Sequence, residues 1–525
     1  MFLTIVTFLP ALGALILALR RTDDANAMRG TALTWSLLTL GFAVALALTF
    51  NPASGEIQRE IAVDWIAEAG VSYHLGVDGI SLFLVLLTTV LVPLLLWAPW
   101  DRVRERYKAF AIMVLLLETA LIGVFLALDL VLYYVFWEAM LIPMYFLIGI
   151  WGGERRGYAA IKFFLYTMAT SVLMLVAIIA IYVSAGTFNW TVLSSASVSL
   201  SPTLQFWAYL AFVAAFAVKI PLWPLHSWLP DAYSEAPITG TILLSALMSK
   251  AGLYGLIRFG PSIFPDAAAT LAPYLLVLAL VGVVYGAFVA MAQRDLKRLI
   301  AYSSVSHLGL VAVGIFAFGT LSTAGSVLQM VNHGIYIAAL FLVIAILMNR
   351  FGGRSLDDME GVAAVMPKFA AFFLIILFAS VALPGTNGFV GEFLILVGTY
   401  AGQFPVYAVV GASIAVLSAI YMLYMARRVF HGPTSERVRT GTSDLSRAET
   451  GLLVPLVILI LWIGLYPSPF LDRIEPAVQS TVEQAQARLE STNAQTASAE
   501  SMANWIMPWD AAEDETDTDD AGGRP

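Results

Sequence analysis

The feature that most constrains this chain is a succession of apolar stretches, each about as long as a bilayer is thick. A hydrocarbon core of about 30 Å needs about 20 apolar residues per helix. Lipid admits only helices or closed barrels, because it offers the backbone no hydrogen-bond partners. Fourteen stretches meet the length requirement, at roughly 2–20, 30–50, 78–98, 109–127, 130–150, 160–183, 204–226, 238–257, 271–291, 299–318, 324–348, 366–399, 405–426 and 450–466. Of the 525 residues, 60% are hydrophobic and 12% are charged; a soluble domain carries about 25% charged residues. A soluble multidomain enzyme is excluded, and the expected fold is an all-α polytopic membrane protein of about fourteen spans.

Charge placement tests that count. The opening MFLTIVTFLPALGALILALRR has no positive charge before its apolar run and two arginines after it. A secretory signal has the opposite order, so this segment is expected to remain as a first helix that starts outside. The seven inside loops then hold 21 of the 28 Lys+Arg, the outside segments hold five (Arg59, Arg258, Arg473, Arg488, Arg524), and Lys219 and Lys250 fall within spans. That asymmetry is the positive-inside pattern, which one invented helix in the middle would scramble. The net charge of −8 belongs to a tail. Seven acids lie between Asp510 and Asp520; without residues 510–525 there are 29 acids and 27 bases, a net of −2. This tail is expected to be disordered, and no basic face exists for nucleic acid.

A weak internal repeat divides the chain. Three helices and an outside loop (51–77) occupy 1–108, and two five-helix units cover 109–258 and 271–430. A last span (450–466) and a C-terminal amphipathic segment with the acidic tail (467–525) complete it. An odd number of spans per unit forces the units to be inverted. The fourth span of each, the seventh and twelfth overall, is interrupted: Lys219-Ile-Pro-Leu-Trp-Pro in one, Pro384-Gly-Thr-Asn-Gly-Phe-Val-Gly-Glu392 in the other. Proline removes a helix hydrogen bond and glycine loosens the backbone. Paired interruptions in inverted repeats point to a transport site. In the outside loop, VSYHLGVDGIS is expected to hold a short hairpin.

Cysteine is absent, which removes iron–sulfur clusters, disulfides, thiolate zinc sites and cysteine nucleophiles. No P-loop, GxGxxG, HExxH or nucleophile elbow is present. What remains is a short row of ionisable residues within spans: Glu118, Glu138, Lys219, Lys250, His307, His333 and Glu392. Each costs at least about 2.5–3.5 kcal/mol at the bilayer centre, and such residues mark proton or ion pathways. Glu138 and Lys219 form the sharpest pair: a lysine whose acidic partner approaches and retreats is a switchable proton carrier. The alternative is a static buried ion pair that fixes packing. Lys250 could instead face an interface and bind lipid, and Glu118 could be a satisfied packing acid. His307 and His333, on neighbouring spans, could ligate a haem, but only Gly309 and Gly334 lie near to make room for the ring; a neutral imidazole that accepts at one nitrogen and donates at the other suits a relay better. His226 could gate access from the inside, while His74 and His431 fall in loops.

These residues carry a family resemblance. DLVLYYVFWEAMLIPMY (129–145), FAVKIPLWPLHSWLPDAYSEAP (216–237), LLSALMSKAGLYGLIRF (243–259) and LPGTNGFVGEFLIL (383–396) resemble the antiporter-like subunits of respiratory complex I, the proton-translocating NADH:quinone oxidoreductase. Those subunits are related to Mrp-type sodium/proton antiporters, and the likeness covers about residues 1–466. Two features favour the M branch: no long lateral helix after the fourteenth span, and glutamate (Glu392) in the broken twelfth span. The resemblance implies that Glu138 modulates Lys219, that Lys219 and Lys250 carry the proton with His307 and His333 continuing, and that Glu392 is terminal near the exit side. It also implies no cofactor in this chain, with flavin, iron–sulfur clusters and quinone in partner subunits. The implied partners are other membrane-arm subunits, two of them antiporter-like, and lipids. The implied location is the bacterial cytoplasmic membrane. The competing readings are a cation/proton antiporter subunit without redox coupling and a purely structural scaffold.

Overall fold

The computed structural model describes residues 1–21, 24–98, 106–195, 197–434, 438 and 443–506, with side chains as far as Glu490. The acidic tail, expected to be disordered, lies outside the described residues.

Twelve helices among the described residues are long and apolar enough to cross a membrane: Phe2–Leu19, Ala25–Leu48, Gly79–Trp97, Tyr107–Leu126, Leu130–Trp151, Arg156–Ala185, Ile238–Ile263, Pro265–Met291, Leu296–Phe316, Thr320–Phe351, Pro405–Phe430 and Arg447–Leu465. The two expected spans not among them are the two expected to be broken. The seventh runs as a helix only over Pro202–Lys219, and after a non-helical passage the chain resumes at Leu229–Glu235. Pro221 and Pro224, which lack an N–H, end it. The twelfth splits into Pro367–Ser380 and Asn387–Ala401; between them Gly385 takes φ +91°, a conformation glycine alone adopts freely.

Two further irregularities were not anticipated. The fifth span is interrupted at Met140, where Pro143 cannot donate to the carbonyl of Ala139. The eighth contains a π-helical stretch, Leu243–Met248, a feature that recurs at functional sites.

Polar caps start the regular helices. Asp78 accepts from the backbone N–H groups of Ile80 and Ser81, Asp129 from Val131 and Leu132, and Ser446 makes a reciprocal box with Glu449, each cap satisfying donors the first turn leaves orphaned. Ile238–Ile263, Leu296–Phe316 and Thr320–Phe351 are buried along nearly their whole length, whereas Ala25–Leu48, Arg156–Ala185, Pro405–Phe430 and Arg447–Leu465 have only 28–33% of the residues in their apolar stretches buried. The bundle therefore has a central layer of three helices with apolar helices around it.

At one end of the bundle an antiparallel hairpin pairs Gln58–Ile66 with Val71–Val77, Ile61 facing Leu75 and Val63 facing Tyr73. The expected hairpin within VSYHLGVDGIS is thus corrected: that stretch supplies only the second strand. His74, read as a loop residue, is a buried strand residue 2.6 Å from Glu60 Oε1 through Nε2. After the fourteenth span, the segment expected to be amphipathic is one helix of 39 residues, Ser468–Ile506. Its buried residues Ile474, Ala477, Val478, Val482 and Ala485 recur at three and four, the amphipathic spacing of a helix laid on a surface. A Cβ at Gly79 would overlap the Arg473 carbonyl, so glycine there lets this helix seat on the start of Gly79–Trp97. Arg488 is buried and donates to the carbonyls of Leu193, Ser262 and Val198.

Arg258, counted by sequence among the outside charges, is also buried. Its guanidinium donates to Asp78 Oδ2 at 2.6 Å and lies over Trp190, 4.9 Å from the ring centroid. Removing one partner of a buried pair strands the other charge and costs about 3–5 kcal/mol. Arg258→Ala is therefore expected to lower the unfolding temperature and the yield of assembled complex, measured by thermal scanning and native gel. Wild-type values for both would contradict a structural role for the pair.

Candidate functional site

The central layer carries the polar row. On Thr320–Phe351, the residues Gln329, Asn332, His333 and Tyr336 are spaced by three and four, so one helix face presents all four. All are buried.

Two short contacts run across that face. On Ile238–Ile263, Lys250 Nζ donates to His333 Nδ1 at 2.7 Å, to the Ser245 carbonyl at 2.5 Å and toward Ser249 Oγ at 3.3 Å. Ser245 lies within the π stretch, and its carbonyl also accepts from the Ser249 hydroxyl at 2.8 Å. On the other side, His307 Nδ1 is 2.8 Å from Glu392 Oε1, and His307 Nε2 is 3.1 Å from the Tyr421 hydroxyl. Gln329 Nε2 donates to the same carboxylate oxygen at 3.2 Å. Asn332 Nδ2 donates to the Asn387 carbonyl at 2.8 Å and Asn387 Nδ2 returns a bond to the Asn332 carbonyl at 3.3 Å. These amides fasten the second half of the broken twelfth span, which bears Glu392, to the central helix. With both His307 nitrogens engaged by protein groups, neither is left for a metal.

Tyr336 connects the two contacts. The His307 and His333 ring centroids are 6.3 Å apart, and the Tyr336 ring lies 5.2 Å from His333 and 6.0 Å from His307. The Tyr336 hydroxyl and His333 Nε2 are buried without a hydrogen-bond partner. A neutral His333 that accepts at Nδ1 from Lys250 carries its proton on Nε2. A neutral His307 that donates Nδ1–H to Glu392 accepts at Nε2 from Tyr421; a protonated ring donates at both. The arrangement can therefore hold a proton at either end, while among the described residues no hydrogen bond joins His333 to His307.

The first repeat is wired differently. Lys219, the last residue of its helix, is buried and has no hydrogen-bond partner; its ammonium lies 4.5 Å from the centroid of the Trp137 ring. Glu138 follows Trp137 in sequence, and its Oε1 is buried without a partner. The sharpest expected pair is thus adjacent without a direct ion pair, an aromatic face taking the place of the carboxylate. Glu118 is buried with both oxygens unpartnered, and no hydrogen bond or ion pair among the described residues joins it to the row. Buried polar atoms without protein partners need water or a proton to meet them.

His226 is not joined to the row either. Its ring packs 5.0 Å from that of Tyr285, and the adjacent Ser227 hydroxyl donates to that of Tyr166 at 2.7 Å. Close by in sequence, Asp231 meets Lys162 at 2.8 Å and Arg298 at 3.4 Å. His431 caps the end of Pro405–Phe430 and is exposed.

Four of the charged residues sit beside helix irregularities: Glu138 next to the Met140 interruption, Lys219 at a helix end, Lys250 after the π stretch and Glu392 in the second turn after a break. Sequence reading missed Trp137, Gln329, Asn332, Tyr336, Asn387 and Tyr421. The spacing of Gln329, Asn332, His333 and Tyr336 was a usable signal, since a polar stripe in an apolar helix is costly unless it faces other polar groups. Tyr421 offered none, being an aromatic among apolar neighbours.

Broken membrane helices around a buried acid–lysine–histidine row define the class of antiporter-like membrane subunits. A family model described as "NADH:quinone oxidoreductase/Mrp antiporter, TM" matches residues 127–418, and one described as "NADH-ubiquinone oxidoreductase chain 4, amino terminus" matches 32–124. The chain belongs to the family of NADH-quinone oxidoreductase subunit M and its mitochondrial counterpart, chain 4, related to Mrp antiporter subunits. It is 43% identical over 503 residues to subunit M of Rhodobacter capsulatus, covering 93% of this chain and 97% of that one. It also matches a chain of respiratory complex I from Thermus thermophilus with a TM-score of 0.84 and 31% identity, covering 92% of this chain and 100% of that one. A chain of the Mrp complex from a Dietzia species matches with a TM-score of 0.76 at 18% identity, covering 97% and 60%, a likeness of fold alone.

Proposed function

We propose that this chain is a proton-translocating membrane-arm subunit of an NADH:quinone oxidoreductase, and that Glu138, Lys219, Lys250, His333, His307 and Glu392 carry or control the proton, with Glu118 accessory to them. The observation that supports this most is the pair of contacts Lys250–His333 and His307–Glu392, which face each other across Tyr336 inside the most buried helices. In the proposed sequence Lys219, switched by Glu138, passes a proton toward Lys250. Lys250 gives one to His333 Nδ1, and His333 releases its Nε2 proton toward His307, which delivers to Glu392.

Moving one charge against 100 mV costs about 2.3 kcal/mol, so the drive comes from redox chemistry in partner subunits. The absence of cysteine supports leaving iron–sulfur clusters to those partners, two of which are related antiporter-like subunits; flavin and quinone are assigned to partners by the family resemblance alone. The likeness to bacterial subunit M supports a place in the bacterial cytoplasmic membrane, the positive-inside count supports Met1 and the hairpin end outside, and the paired breaks support two inverted five-helix units.

Glu392→Gln tests the reading, because it preserves size and hydrogen bonding to Gln329 while removing titration. With the complex in liposomes, proton uptake reported by a pH-sensitive dye is expected to fall at least about tenfold, since a positioned proton-transfer group contributes about 10²-fold or more. NADH oxidation by an artificial acceptor, which bypasses the membrane arm, is expected to be unchanged. Undiminished pumping by a fully assembled variant would remove Glu392 from the path.

A further inference from the structure

Near the hairpin end, a cavity of about 420 Å³ opens between Ala25–Leu48, Gly79–Trp97, Thr320–Phe351 and Arg447–Leu465. Its walls are apolar, among them Val44, Leu86, Val90, Ile335 and Leu459, and Arg473 is the one charged residue among the described residues that lines it. We infer that this groove holds one anionic phospholipid, its acyl chain against the apolar walls and its phosphate on Arg473. This rests on the reading above only in placing the hairpin end at the membrane surface.

Three observations support that occupant. First, the groove has the polarity of a lipid. Arg473 Nη1 donates to the Pro469 carbonyl at 2.7 Å, and among the described residues its guanidinium forms no ion pair. Asp472 and Glu475 beside it do not line the groove. A planar guanidinium matches phosphate geometry and leaves donors for it. Second, the depth is right. Ala25–Leu48 ends at the groove, and the half-exposed Trp462 lines it with exposed Tyr466 beyond; such aromatics mark the headgroup level. Third, the far wall belongs to the functional row. Val331 and Ile335 flank His333 by two residues on either side, and a Cβ at Gly334 would overlap the Leu87 side chain. Leu87 thus lies directly on the backbone beside His333, and whatever fills the groove presses on the helix that positions this imidazole.

The assembled complex in nanodiscs provides the test. Photoactivatable phosphatidylglycerol and phosphatidylcholine compete at equal concentration, and cross-linked peptides are identified by mass spectrometry. Phosphatidylglycerol is expected to label Gly79–Trp97 and Arg447–Leu465 about fivefold more than phosphatidylcholine, the preference one basic residue confers. Arg473→Gln is expected to abolish the preference, Arg473→Lys to keep most of it, and Leu86→Trp to remove labelling by both lipids. Equal labelling by the two lipids in the wild-type complex overturns the proposal, and so does labelling unaffected by Leu86→Trp. A photoreactive residue at position 86 that captures a partner subunit overturns it too, by making the groove a protein interface. The wild-type competition decides the matter even if no variant assembles. Proton pumping is not the readout, so failure here is distinct from failure of the proton path.

Discussion

Lys219→Ala is expected to abolish net proton pumping through this subunit while the complex still assembles. Lys219 is buried at the end of a broken helix, and its ammonium meets the face of Trp137 and no hydrogen-bond acceptor. Nothing in this geometry makes it a packing device: it ties no two helices together by a bond that alanine would break. An ammonium over an aromatic face is held by roughly 0.5–2 kcal/mol, weakly enough for a nearby carboxylate to compete. Glu138, next to Trp137 with one oxygen unpartnered, is placed to do so. Glu138→Gln keeps the shape and removes the competition, and is expected to reduce pumping about tenfold or more. Both effects are read as dye response per NADH oxidised, with assembly checked by native gel. Normal pumping in both variants would return the pair to the static reading.

Lys250→Met carries the second large effect. The side chain is fully buried and supplies donors to Ser245, Ser249 and His333. Methionine is unbranched, apolar and one heavy atom shorter, so most of the packing along the stem is preserved. Removing the ammonium leaves the Ser245 carbonyl with the Ser249 hydroxyl as its remaining side-chain donor, and it leaves His333 Nδ1 with none. A lost buried partner costs about 1–3 kcal/mol, enough to lower thermal stability but too little to prevent assembly. Pumping is expected to fall at least about tenfold, because His333 then receives no proton at Nδ1. His333→Gln keeps hydrogen bonding at that position without a titrating ring, and is expected to pump no better than Lys250→Met. Recovery of pumping with glutamine would show that His333 only positions Lys250.

Much of the fold was legible from residues alone. Apolar stretches of about 20 residues are helices, because lipid admits only helices and closed barrels and a barrel strand takes about half that length, and the distribution of lysine and arginine orders them. Pro221, Pro224 and Gly385 announced the two broken spans, since proline and glycine act on the backbone wherever the chain goes. The interruption at Met140 is readable in the same way from Pro143. The π stretch at Leu243–Met248 was not readable, because nothing local in LLSALM demands an extra residue per turn. The hairpin was misplaced for a related reason: strand pairing is decided between segments, and VSYHLGV looks the same whichever partner it takes.

The seven charged residues were found by their cost. An ionisable group in an apolar span is expensive whatever surrounds it, so its presence is informative before any neighbour is known. Which groups meet is a different matter. Sequence reading singles out Glu138 with Lys219 as the sharpest pair, a switchable one, yet the direct contacts are Lys250–His333 and His307–Glu392, across 83 and 85 residues. Arg258 and Arg488 were counted as outside charges and prove buried against Asp78 and three carbonyls. The sequence by itself therefore determined the solvent, the spans, the breaks and the costly residues, all of which follow from single side chains or local backbone chemistry. Only the tertiary structure decided the pairings, the bridging place of Tyr336 and the depth of each charge. Those depend on distances between helices remote in sequence, and hydrogen bonds a few ångströms long are set by how the helices pack.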